Sequence, residues 1–128
     1  MRLLLDTSTF LWYIAGDPRV PDQVKEAIAM DGTETYLSSV SVWEMSVKHG
    51  LGKLSLPAPV AVYARKQRQR QGFMALPLHE DDVEHLAKLP DHHRDPFDRM
   101  LICQALQNGL RLVTNDSAIV RYPVPVFW

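Results

Sequence analysis

The 128-residue sequence holds a single cysteine, Cys103. The chain can therefore close no internal disulfide and build no thiolate metal cluster. Cys103 falls within an apolar helical stripe and reads as a small buried residue. Long apolar runs are lacking as well. Leu3-Leu4-Leu5 stops at Asp6, too short for a secretion signal, and no later stretch is long enough to span a membrane, so a cytoplasmic protein is expected. Repeats and low-complexity tracts are absent. The net charge is only -1, so any nucleic acid would have to be met by a local basic patch and not by a global positive field. Histidines at ligand spacing are missing too: His92 and His93 are adjacent and share no helical face, and His79 and His85 lie six apart. They read as a solvated loop or a polar contact near a phosphate. What is present is an ordinary globular composition, 46% hydrophobic, expected to form one domain over residues 1–128 with a real core.

The pattern alternates strands and helices. Arg2 to Asp6 reads as a short buried strand running into an acid, followed by a helix capped by Thr7 or Ser8, with Asp6 itself as a further possible cap. A second helix follows Pro21, and Thr35 to Ser38 has the composition of a strand. Ser38, Ser39 or Ser41 then caps a helix that carries Glu44 and ends near Gly50. Leu51 to Pro59 is a connector, Val60 to Gln71 a charged surface helix, Phe73 to Leu78 a strand, and Glu80 to Leu89 a short helix ended by Pro90. From Asp95, an N-cap ahead of Pro96 at the first helical position, Phe97, Leu101, Ile102, Ala105 and Leu106 recur at helical spacing until Asn108-Gly109. Leu110 to Thr114 is a strand that again runs into an acid, Asp116, and Val124 to Phe127 is a last strand confined to an edge by Pro123 and Pro125. Such alternation implies a mainly parallel sheet with helices on both faces, a three-layer α/β/α sandwich.

Ligands of such sheets bind beyond the carboxyl ends of the strands. Asp6 and Asp116 stand at such ends, Glu44 rides a helix leaving that edge, and Asp98 lies in the first turn of the helix that begins near it. Each acid also has a plainer role. Asp95 and Asp98 suit a helix N-terminus, Glu44 can pair with Lys48 one turn on, and Asp116 can cap a turn. If the four converge, they cannot all stay ionised without a cation. Oxygen-only ligands select Mg²⁺ or Mn²⁺, which acidify a water and neutralise a phosphate, chemistry suited to phosphodiester hydrolysis. Arg65, Lys66, Arg68 and Arg70 form the densest basic run, either a solvated helix face or a phosphate-tracking patch. Lys48, Arg94 and Arg99 lie nearer the acids. Trp12, Trp43 and Phe97 read as core or interface residues.

Leu3-Leu4-Leu5-Asp6-Thr7-Ser8, Ser39-Val40-Ser41-Val42-Trp43-Glu44-Met45, Lys48, Gly52-Lys53-Leu54, Asp95-Pro96-Phe97-Asp98-Arg99 and Leu112-Val113-Thr114-Asn115-Asp116 follow one another in the order and spacing of a known family. The sequence resembles the PIN-domain nucleases, and among them the VapC type of bacterial toxin. The resemblance implies that Asp6, Glu44, Asp98 and Asp116 form an acidic metal site for Mg²⁺ or Mn²⁺. Asp95 belongs to the motif without being a clear ligand. Endonucleolytic cleavage of RNA, often tRNA or rRNA, homodimerisation and inhibition by a cognate VapB-type antitoxin are implied too. The alternatives outside this expectation are an acidic pocket that binds a basic partner without turnover, and a PIN nuclease of RNA processing or DNA. A phosphatase with Asp6 as nucleophile is disfavoured, because Ser8 stands where a second aspartate is wanted.

Overall fold

The computed structural model describes residues Met1 to Trp128. Its strands are β1 (Arg2–Leu5), β2 (Glu34–Ser38), β3 (Met74–Leu76), β4 (Arg111–Val113) and β5 (Val126–Phe127). The helices are α1 (Thr7–Ile14), α2 (Asp22–Ala29), α3 (Ser39–Gly50), α4 (Val60–Gln71), α5 (Glu80–Glu84), α6 (Pro96–Asn108) and α7 (Ser117–Val120). The strands form one sheet in the order β3-β2-β1-β4-β5, and every neighbouring pair is parallel.

β1 lies at the centre because its Leu triplet is buried on both sides. Leu3 and Leu5 pack with Phe10, Val24, Leu37 and Met45, while Leu4 turns the other way to Leu101, Ile102, Leu112 and Ile119. This alternation is the period of two of a strand, and the two clusters are the two faces of the sheet. Residues of α1 to α4 cover the first face and residues of α6 and α7 the second, so the three-layer α/β/α architecture stands. As expected of a strand next to two prolines, β5 is at an edge. β3, the opposite edge, is shorter than the 73–78 stretch that its sequence pattern outlines, because Pro77 has no N–H for the ladder.

Two elements differ from the pattern in instructive ways. The helix expected over 80–89 ends at Glu84 and tightens into a 3-10 turn over His85–Lys88. Leu89, in extended conformation just beyond that turn, packs on the second core cluster. Gln104, polar yet fully buried on α6, holds the carboxyl end of β2: its Oε1 accepts from Ser38 Oγ at 2.5 Å, and its Nε2 donates to the Pro77 carbonyl at 3.3 Å. Cys103 beside it is buried and free, as read, and burial pushes its thiol up to about 11.

Candidate active site

β1 delivers Asp6 to the carboxyl edge of the sheet, and the Asp6 N–H still donates to the Val113 carbonyl at 3.1 Å. Its side chain caps α1, Oδ1 accepting from the Thr9 N–H at 2.8 Å. The capping role therefore falls to Asp6 and not to Thr7 or Ser8. Thr7 is otherwise engaged: its hydroxyl donates to Glu44 Oε1 at 2.6 Å and lies 2.9 Å from that of Ser41. Both Asp6 and Glu44 are buried. Burial raises the pKa of Asp6 above the ordinary carboxylate range, hydrogen bonds from Thr114 and Thr9 oppose the rise, and the charge of Glu44 adds to it.

Ser38 caps α3, accepting from the Val40 N–H at 2.9 Å, and α3 carries Glu44 inward. The plain pairing of Glu44 is real: Lys48 Nζ lies 2.5 Å from Oε2, one turn on. Although burial opposes it, the hydrogen bond to Glu44 and the charges of Glu44, Asp95 and Asp98 hold the Lys48 pKa above its usual value. A buried carboxylate with Thr7 on one oxygen and Lys48 on the other is fixed in orientation.

Asp95 caps α6 as its sequence position indicates, Oδ1 accepting from the N–H groups of Phe97 at 2.9 Å and Asp98 at 3.2 Å. That leaves Asp98 in the opening turn, facing the other acids. Its pKa is pushed up to about 7, first by burial and then by the charge of Asp95, with smaller contributions from Glu44 and Asp6; the hydrogen bond from His93 works against the rise. Asp116 caps α7 through Oδ1, which accepts from the Ala118 N–H at 2.9 Å, and its other oxygen faces His93.

His93, expected only as a loop residue or a polar contact, turns out to join two of the acids. Its Nε2 lies 2.9 Å from Asp98 Oδ2 and 3.4 Å from Asp116 Oδ2. Ligand atoms of His93, Asp98 and Asp116 all fall within 4.8 Å of one another. Asp6 and Glu44 stand outside that tight group and adjoin it through their charge on Asp98. Helical spacing is the wrong test for this histidine, since it sits on the loop that turns back over the α6 N-terminus. The usable signal is its place two residues before an Asp-Pro helix start.

The basic and aromatic residues divide. Arg99 is occupied by the loop before α6, Nη1 donating to the Pro90 carbonyl at 3.0 Å, and Arg94 is exposed. Arg65, Lys66 and Arg70 are exposed along α4 and Arg68 is half-buried. Trp43 packs edge-on against Phe97 at 4.8 Å between ring centres yet remains 57% exposed, while Trp12 packs against Trp128.

The donor set suits a hard divalent ion. Asp6, Glu44, Asp98 and Asp116 offer only carboxylate oxygens, and Lys48 is the one lysine or arginine paired with any of them; burial and the neighbouring carboxylates raise the Asp98 pKa to about 7.

Residues 3–125 match the PIN domain, and the chain belongs to the PIN-domain family. Members of this family are generally nucleases that depend on divalent metal, so the protein is placed among hydrolases acting on nucleic acids. A comparison with curated proteins gives no match. Among solved structures, the fold is similar to a chain of VapBC2 from Rickettsia felis bound to a promoter DNA fragment (16% identity, TM-score 0.73, 98% of this chain and 96% of that one). It is equally similar to one of DNA-bound VapBC from Salmonella typhimurium (20%, 0.73, 98% and 96%). VapBC-5 from Mycobacterium tuberculosis, a member of the VapBC family of toxin–antitoxin systems, is similar over 93% of this chain and 88% of its own (22%, 0.54).

Proposed function

We propose that this protein is a VapC-type toxin, a single-domain, metal-dependent endoribonuclease that hydrolyses RNA phosphodiester bonds, with Asp6, Glu44, Asp98 and Asp116 holding Mg²⁺ or Mn²⁺. The observation that carries the reading is the grouping of Asp98 and Asp116, from α6 and the β4–α7 turn, with ligand atoms within 4.8 Å of one another and of His93; the charges of Glu44 and Asp6 add to the rise that burial and Asp95 impose on the Asp98 pKa. Similarity to chains of VapBC assemblies supports the toxin role and a VapB-type antitoxin as partner. An acidic pocket would accept a guanidinium from such an antitoxin, whose fork of donors matches carboxylates. A homodimer acting in the cytoplasm on tRNA or rRNA completes the proposal. No helix is long and apolar enough to cross a membrane.

A bound divalent ion supplies charge neutralisation for the phosphate and acidifies an attacking water. The chain's own residues prepare that chemistry. Asp6 is locked by its cap to Thr9, Glu44 by Thr7 and Lys48, and Asp98 by the first turn of α6, so three carboxylates are oriented before substrate arrives. Lys48, tethered at the rim, adds a positive charge within reach of an incoming phosphate.

The test is RNA cleavage by purified Glu44→Gln in the presence of Mn²⁺. Glutamine keeps an acceptor for Thr7, so the fold is retained, and cleavage is expected to fall by at least about a hundredfold. Cleavage at the wild-type rate contradicts the assignment. RNA binding by wild-type protein with no turnover under any divalent ion points instead to a binding module.

A further inference from the structure

We propose that His93 supplies a nitrogen ligand to the metal centre, alongside Asp98 and Asp116, and is held in place for it by Tyr122, so that the centre takes Mn²⁺ in preference to Mg²⁺. The inference rests on the reading of the acids as a metal centre and adds to it an atom of different chemistry.

Three observations carry it. First, Nε2 lies 2.9 and 3.4 Å from one oxygen each of Asp98 and Asp116. Neighbouring ligands on an octahedral ion with bonds of about 2.1 Å are spaced by roughly 3.0 Å. A histidine serving only to pair with one acid has no need to meet the second. Second, the loop is pinned at this residue. Tyr122 is buried, and its hydroxyl oxygen accepts from the backbone N–H of His92 at 3.1 Å and of His93 at 2.8 Å. Arg99 Nη1 lies 3.2 Å from the same oxygen and donates to the Pro90 carbonyl, and the His92 ring packs edge-on against Tyr122. A buried side chain that fixes both amides around a ligand is the support such centres need. Third, the two acids already come from separate elements, α6 and the β4–α7 turn, so His93 closes the group from a third.

The selectivity follows from ligand chemistry. Mg²⁺ takes oxygen donors and gains little from imidazole, whereas Mn²⁺ accepts mixed nitrogen and oxygen ligands. Binding requires the lone pair on Nε2, so the Asp98 contact is exchanged for the ion.

Pulsed electron paramagnetic resonance of the full chain loaded with Mn²⁺ reads the nitrogen directly. Wild-type protein is expected to show ¹⁴N coupling to the bound ion, and His93→Gln to lose it while binding Mn²⁺ about tenfold more weakly. Mg²⁺ affinity is expected to stay unchanged in that variant. Tyr122→Phe keeps the ring and its packing but loses the hydroxyl, and is expected to weaken the ¹⁴N coupling without moving Mg²⁺ affinity; an unchanged coupling overturns the role of Tyr122. Bound Mn²⁺ with no ¹⁴N coupling, or equal loss of Mn²⁺ and Mg²⁺ affinity in His93→Gln, overturns the nitrogen ligand and leaves the carboxylate centre standing. Failure of wild-type protein to bind Mn²⁺ at all overturns both.

Discussion

Asp98 is the residue whose energetics most directly report the site. Its folded pKa of about 7 stands above the usual 3.8, so between those values the folded state binds more protons than the unfolded one. Stability then falls as pH rises through that window. For metal-free protein the loss is at most about 4 kcal/mol, since each pH unit between the unfolded and folded values is worth about 1.36 kcal/mol. Asp6, also raised, acts in the same direction. Denaturant midpoints of metal-free wild type are expected to decline from about pH 4 to about pH 7, and those of Asp98→Asn to decline less, keeping only the part due to Asp6, which leaves the variant the more stable at about pH 8. A wild-type curve that rises across this range contradicts the assigned burial of charge. Divalent affinity follows the opposite course, rising with pH through about 7, because the ion must displace the Asp98 proton.

At the scale of elements, the start of α6 does two jobs that substitutions can separate. Asp95 caps the helix through both Phe97 and Asp98 N–H groups and also repels the Asp98 charge. Asp95→Ala is expected to cost about 1 kcal/mol of stability through the lost cap. Asp95→Asn keeps an acceptor, so its stability is expected to stay near wild type while the Asp98 pKa falls, a change that carboxyl NMR titration reads. Equal destabilisation by the two would mean the charge, not the cap, is what α6 needs there. This element was largely legible in the sequence, since Asp95-Pro96 ahead of an apolar 3.6-residue stripe admits few other readings. Local capping at Asp6 was less so: Asp6 and Thr7 can both cap, and only the long-range bond from Thr7 to Glu44 decides between them. The 3-10 turn over His85–Lys88 and the buried Gln104 were illegible for the same reason, each being set by packing against α6 or by partners far along the chain.

For the molecule as a whole, the sheet explains why acids so far apart in sequence are carried to one edge. β1 lies between β2 and β4 with all strands parallel, so the chain leaves each of them at the same edge: Asp6 caps α1 directly after β1, Glu44 lies in the second turn of α3 after β2, and Asp116 caps α7 after β4. The placement of Asp6 and Asp116 just beyond β1 and β4 was readable from strands that run into acids. His93 was not, because its position depends on Tyr122, a residue 29 places later. Binding of an ion to the folded protein alone stabilises it by mass action. With Mn²⁺ at about a hundredfold excess over its Kd, stability at about pH 7.5 is expected to rise by about 2.7 kcal/mol. The thermal midpoint is expected to move up in wild type and not in Asp6→Ala; equal shifts in both would place the ion elsewhere.

The central claim, that Asp6, Glu44, Asp98 and Asp116 surround a divalent ion, is tested most directly by a Mn²⁺ anomalous difference map from a crystal of the protein. A strong peak among these four side chains is the predicted result. Mn²⁺ bound only outside them, or no peak in crystals grown above about pH 7 with saturating Mn²⁺, would contradict the account.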